Sequence, residues 1–158
     1  MMSAVPGGVG EVLARMQAEL APLESAGSPL RYFLSTYSRT TGAVGKAIAD
    51  GGFADGGWVE RWDVAFADLY LDALQAHQRD PSTAPWPWRL AFGARADLQP
   101  LGQVLLGINA HINYDLPQAL LAVISDDDFA QPQVLASRER DHRAIDDVLS
   151  ARVGEEDR

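Results

Sequence analysis

The chain has 158 residues, of which 47% are hydrophobic and 22% charged, with a net charge of −9. This length fits one domain with a substantial buried core. The negative charge would repel nucleic acid except at a local basic patch, and the sequence has none, so we expect no nucleic-acid partner. The absence of cysteine excludes disulfides, thiolate metal sites and thiol nucleophiles.

The ends of the chain set the expected domain limits. Residues 1–10 are glycine-rich and lack the basic region and apolar run of a signal peptide. No stretch approaches the ~18 uninterrupted apolar residues that a membrane span requires. We therefore expect a loose N-terminus over 1–10, one helical domain over 11–153, a charged tail over 154–158, and a cytoplasmic protein without a membrane span.

The first predicted helices carry apolar residues at helical spacing. A short helix before Pro22 is followed by Ser28-Pro29, which is a typical helix start. The next helix has an apolar face that ends before Gly51-Gly52 and comprises Leu30, Phe33, Tyr37, Thr41, Val44 and Ile48. Because Tyr37 and Thr41 lie on this inner face, their hydroxyls should point toward the core and need partners there.

A third helix after Gly56-Gly57 contains an unexpected carboxylate. Its inner face comprises Val59, Trp62, Asp63, Phe66, Tyr70 and Leu74. Asp63 on this face is either paired in the core or part of a polar pocket. The stretch W-P-W-R-L-A-F at 86–92 then predicts a brief helix or turn whose rings fill one end of the core.

The central predicted helix begins at Pro100 and carries the chain's most polar inner segment. Apolar residues recur at intervals of three and four and predict its buried face: Leu101, Val104, Leu105, Ile108, Ile112 and Leu116. His111 and Asp115 fall along one border of this face, and Asn109 and Asn113 along the other. We therefore predict a buried polar seam, with a kink at Pro117 because proline cannot continue a straight helix.

The whole chain lacks strand-like alternation and hairpin signals. A last helix from Pro132 brings Arg138 and either Asp141 or His142 to its inner face. The predicted fold is an all-α, single compact bundle of about five to seven helices with a kinked central helix.

Three segments together resemble a family of small bacterial proteins known as domain of unknown function 5995. They are the box N-A-H-I-N-Y-D-L-P at 109–117, F-A-D-L-Y-L at 66–71 preceded by Asp63-Val64, and the stretch from Tyr37 to Val44. Asp141 is similar to the family's last helix, whereas Asp68, His142 and Asp146 depart from its pattern. The resemblance implies the fold and the site but supplies no reaction.

The polar residues favour an enzyme that transfers protons without a cofactor. His111, Asp115 and Asp63 are the predicted catalytic groups, and the predicted substrate-binding residues are Asn109, Asn113, Tyr37, Thr41 and Tyr70. No serine or cysteine nucleophile setting and no phosphate loop is present. The fitting reactions are isomerisation, dehydration or cyclisation of a small, largely apolar molecule.

Two alternatives remain open at this stage. His111, Asp115 and Asp63 could hold a divalent metal such as zinc in a hydrolase. A non-catalytic protein could instead use the seam to bind an apolar ligand or only to fix helix register.

Overall fold

The computed structural model describes residues 8–156, and these form helices and connecting turns without any strand. The predicted all-α fold is confirmed. The α-helices are α1 Val9–Ser25, α2 Arg31–Ala49, α3 Gly56–Arg79, α4 Trp86–Phe92, α5 Pro100–Ala110, α6 Leu116–Val123, α7 Asp126–Phe129 and α8 Pro132–Glu156. Within 8–156, no helix is both long enough and apolar enough to cross a membrane. Most of the predicted loose N-terminus, residues 1–7, lies outside the described part, as do the last two residues of the predicted tail.

Local sequence signals set several helix ends. Gly27 and Gly51 follow α1 and α2 with φ angles of 63° and 75°, a left-handed conformation that glycine adopts without steric cost. At the start of α3, the Asp55 side chain accepts a hydrogen bond of 3.0 Å from the Trp58 backbone N–H. These signals fix the turn between α1 and α2 and the turn between α2 and α3.

The core consists of two apolar clusters. The first contains Val12, Met16, Leu20, Leu23, Phe33, Leu34, Tyr37, Ala67, Tyr70, Leu71, Ala73, Leu74, Trp88, Ala91 and Ala110. The second contains Val44, Trp58, Val59, Trp62, Ala119 and Ile124. Helices α2 and α3 contribute to both clusters, so each of them passes from one apolar region into the other.

Polar side chains lie where the two clusters meet. They are Tyr37 and Thr41 on α2, Asp63 on α3, and His111 and Asp115 between α5 and α6. We call these five residues the polar layer. Because apolar residues flank them along each helix, water is excluded from most of their polar atoms.

The central helix is rotated relative to the prediction. Its predicted inner residues Leu101, Leu105, Ile108 and Ile112 are exposed, and that prediction was wrong. The buried face instead includes Gly107 and Ala110. A Cβ atom at Gly107 would overlap the ring of Phe33, so α2 and α5 approach each other through a small residue. The close packing of α5 against α2 at Gly107 therefore determines the rotation of α5, even though it leaves the larger apolar side chains exposed.

The segment His111–Asp115 between α5 and α6 is a π-helix. The Leu116 N–H donates to the His111 carbonyl five residues earlier, which is the π-helical pattern. Pro117 follows as the second residue of α6, and the predicted kink there stays a prediction. The wider turn keeps both His111 and Asp115 buried, although residues 112–114 between them are exposed.

Candidate functional site

His111 and Asp115 form a buried pair that a tryptophan completes. The His111 Nδ1 atom lies 2.8 Å from Asp115 Oδ2, and the Trp88 Nε1–H donates to the same oxygen at 2.9 Å. An indole N–H can only donate, so this carboxylate oxygen is an acceptor. The arrangement favours the imidazole tautomer with its proton on Nδ1, which leaves the lone pair of Nε2 available.

Aromatic rings enclose the His111 imidazole. The Phe66 ring stacks parallel to it with centroids 3.6 Å apart, and the Tyr37 ring meets it edge-on at 4.7 Å. Burial lowers the pKa of His111 because the charged form loses its hydration, and the hydrogen bond with Asp115 opposes this only in part. His111 is therefore neutral at pH 7, which is the form that can accept a proton.

Asp63 is a half-buried residue of α3, one turn before Phe66. Its Oδ2 atom is inaccessible and has no hydrogen-bond partner in the described part of the chain. Burial raises the pKa of Asp63 to about 7, and the nearby charge of Glu60 acts in the same direction. At neutral pH, a large fraction of the protein molecules therefore carries a protonated Asp63 carboxyl.

The hydroxyls of Tyr37 and Thr41 are also buried; they lie close to each other, and neither has another hydrogen-bond partner among residues 8–156. Burial raises the pKa of Tyr37 well above its usual value, and the charges of Asp63 and Asp115 raise it further. The neighbouring Thr41 hydroxyl lowers the pKa of Tyr37, but by a smaller amount. Because two carboxylates of the polar layer act on it, the Tyr37 hydroxyl faces the same region as they do.

Three residues predicted to bind substrate have other surroundings. Asn109 and Asn113 are exposed, and Asn113 Nδ2 donates to Asn109 Oδ1 at 2.7 Å. The prediction that they line a buried seam was wrong, because the rotation of α5 carries them outward. Burial raises the pKa of Tyr70, and the nearby charge of Glu19 on α1 raises it further. The Tyr70 hydroxyl therefore faces α1. A substrate-binding role for these three stays a prediction.

The described residues contain no cluster of three candidate metal ligands. Within 8–156, no three His, Asp or Glu side chains lie close enough together to hold one ion. Asp115 Oδ2 already faces two nitrogen atoms, from Trp88 and His111. The predicted set of His111, Asp115 and Asp63 is not among such groups, and the metal-dependent hydrolase alternative stays a prediction.

A small cavity lies beside the rings that enclose His111, next to α4. A cavity of about 10 Å³, roughly the space of one water molecule, is bordered by Phe33, Tyr70, Trp88 and Gly107. The first three of these contribute rings that also surround the His111 imidazole, with centroids 5.9–6.1 Å from it. No residue of the polar layer borders this cavity, so a molecule that reaches His111 from it must displace these rings.

Sequence reasoning missed the role of Trp88, which it assigned only to core filling. The sequence offered one indication, because a buried tryptophan N–H needs a hydrogen-bond acceptor. The few buried carboxylates are the strongest acceptors available to it. Asp141 has a structural role instead: it is buried and accepts the backbone N–H groups of Ala54 and Asp55 at 2.6 and 2.9 Å. It thereby ties α8 to the start of α3.

The comparisons with known proteins identify a family. No curated protein and no solved structure matches the chain. Residues 9–158 match the sequence pattern of DUF5995, which is described as a family of unknown function. This match spans all the helices and every residue of the polar layer. The chain therefore belongs to the DUF5995 family.

Proposed function

We propose that the polar layer is the active site of a cofactor-independent enzyme that transfers protons on a small, largely apolar molecule. The observation that carries the proposal is a group of four buried polar atoms that have no hydrogen-bond partner outside the group in the described chain: Tyr37 Oη, Thr41 Oγ1, Asp63 Oδ2 and His111 Nε2. Each such atom costs about 1–3 kcal/mol when left unpaired. The Tyr37 and Thr41 hydroxyls lie near each other, but no described residue supplies a partner to Asp63 Oδ2 or His111 Nε2, and a bound molecule with polar atoms would do so.

The two titratable groups have complementary roles. The neutral His111 offers the lone pair of Nε2 as a general base, and Asp115 stabilises the imidazolium that forms when the proton is taken. Asp63, whose pKa lies near 7, supplies a proton as the general acid. A base and an acid made ready by burial in one site suit isomerisation, dehydration or cyclisation.

The remaining groups define the substrate. The Tyr37 and Thr41 hydroxyls can donate to a carbonyl or hydroxyl oxygen, which would fix the reacting atoms between base and acid. The rings of Phe33, Phe66 and Trp88 form apolar walls around His111. The substrate is therefore a small molecule with an oxygen function on an apolar body, and it enters when the rings move.

A solvent-deuterium experiment tests this proposal without a known substrate. The purified protein is incubated with a bacterial metabolite extract in D₂O, and mass spectrometry identifies compounds that gain deuterium or change. The parent should label or convert at least one apolar metabolite. His111→Gln should lower the rate about 10²–10⁴-fold, the contribution expected of general acid–base catalysis.

The matched control is Asp146→Asn, which neutralises an exposed carboxylate of α8. It should retain the parent rate, whereas Asp63→Asn should lose it. A folded parent that labels no compound beyond the level of the His111→Gln variant would contradict proton transfer and leave the polar layer a structural feature.

A further inference from the structure

One oxygen of Asp115 serves two buried donors. The Trp88 Nε1–H donates to Asp115 Oδ2 at 2.9 Å, and the same oxygen lies 2.8 Å from His111 Nδ1. All three side chains are buried, so water does not compete for this oxygen. Hydrogen bonds to a buried charged group are strong, and two donors on one oxygen each reduce the negative charge that the other one meets.

The other tryptophans of the chain are placed differently. Trp58 Nε1–H donates to the backbone carbonyl of Val123 at 3.0 Å, and the buried Nε1 of Trp62 has no acceptor among residues 8–156. Trp86 is exposed. A tryptophan that only fills the core therefore needs no charged acceptor in this protein, and the choice of Asp115 by Trp88 asks for another reason.

Aromatic packing holds the Trp88 indole in place. The Phe92 ring, one turn later on α4, stacks on it with centroids 5.0 Å apart and planes 23° apart. The rings of Tyr70 and Phe33 lie 5.1 and 5.6 Å away. The indole N–H is thus presented to Asp115 from a fixed position, and a small change in the carboxylate cannot move it.

We propose that Trp88 is a positioning residue that acts through Asp115 and limits the basicity of His111. By sharing Oδ2, the indole N–H weakens the stabilisation that Asp115 gives to the imidazolium. This matters for the proposed function, on which the inference rests, because a base that holds its proton too firmly stays charged and cannot accept another one. Without the indole N–H, the whole charge of this oxygen would act on His111.

The titratable groups that face His111 make Asp115 the path for this effect. Tyr37 on α2 and Tyr70 on α3 meet the imidazole edge-on at 4.7 and 6.1 Å, and burial raises the pKa of both, so they are neutral at pH 7. Asp63 on α3 has a pKa raised to about 7 and titrates separately. Asp115 is the charge that raises the pKa of His111 against the effect of burial.

Trp88→Phe keeps an apolar ring and removes the indole N–H. NMR of ¹⁵N-labelled histidine follows the protonation of His111, with Asp63→Asn present in every protein so that this second titration is absent. The proton concentration that half-protonates His111 should fall about tenfold in Trp88→Phe, because a hydrogen bond to a charged group contributes at least one factor of ten. The matched control is Trp62→Phe, which removes a buried indole N–H without an acceptor and should leave this concentration unchanged.

A measurement on the protein without a tryptophan substitution covers the case in which Trp88→Phe does not fold, which circular dichroism would show. The indole N–H resonance of Trp88 should shift with the same midpoint as His111, whereas that of Trp58, bonded to a backbone carbonyl, should not. The inference is overturned if the Trp88 resonance ignores the His111 titration, or if Trp88→Phe leaves the proton affinity of His111 unchanged or lower. It is also overturned if Trp62→Phe has the same effect. None of these readouts uses turnover, so they can fail while the deuterium experiment succeeds, and the reverse.

Discussion

Replacing Asp63 with asparagine should stabilise the protein, and increasingly so as the pH rises. Burial raises the pKa of this carboxyl from 3.8 to about 7, so the folded protein keeps a proton that the unfolded chain releases. The unfolded state therefore binds fewer protons between about pH 4 and pH 7, and the free energy of unfolding falls across this window. At about 1.4 kcal/mol per tenfold change in proton affinity, the full cost above pH 7 is about 4 kcal/mol.

Asparagine has nearly the same shape as aspartate and cannot ionise, so Asp63→Asn removes this cost. Urea unfolding of parent and variant at pH 5 and pH 8 measures it, because other titrating groups cancel in the difference between the two proteins. The advantage of the variant should grow by about 3 kcal/mol from pH 5 to pH 8. Asp146→Asn, at an exposed position, should give a difference independent of pH. The reasoning is refuted if the stability difference between Asp63→Asn and the parent does not change with pH, or if it favours the parent more at pH 8. Either result would show that Asp63 is ionised and well partnered in the folded protein.

Two further substitutions test the packing that positions the site. Asp141→Ala should lower the free energy of unfolding by about 2–4 kcal/mol, since the backbone N–H groups of residues 54–55 lose a charged acceptor, whereas Asp146→Ala should change it little in the same urea titration. Gly107→Ala should destabilise by about 1–3 kcal/mol because the new Cβ atom overlaps a ring of α2, whereas Gly42→Ala, where a Cβ atom meets nothing, should be neutral or stabilising by thermal unfolding.

The fold class could be predicted because helical periodicity is repeated along the chain and is interrupted by proline and glycine. The same periodicity placed Tyr37 and Thr41 on the inner face of α2, and both are buried there. It also placed His111 and Asp115 beside each other at four-residue spacing, and the structure pairs them. These predictions depend only on the geometry of a single helix, which the local sequence determines.

The rotation of the central helix could not be predicted in this way. Hydrophobicity pointed to Leu105 and Ile108 as the inner face, but the structure buries Gly107 and Ala110. The deciding interaction is the close approach of α5 to the ring of Phe33, which joins residues far apart in sequence. The error explains both the exposed asparagines and the exposed leucine and isoleucine side chains of α5, because the two follow from one rotation.

The protonation states of the polar layer test the central proposal most directly. NMR of the protein with ¹⁵N-labelled histidine and ¹³C-labelled aspartate reports the His111 tautomer and the Asp63 titration. The geometry predicts a neutral imidazole at pH 7 with its proton on Nδ1, and an Asp63 carboxyl that titrates near pH 7. A His111 imidazolium at pH 7 together with an Asp63 carboxyl titrating near pH 4 would contradict a site prepared for proton transfer.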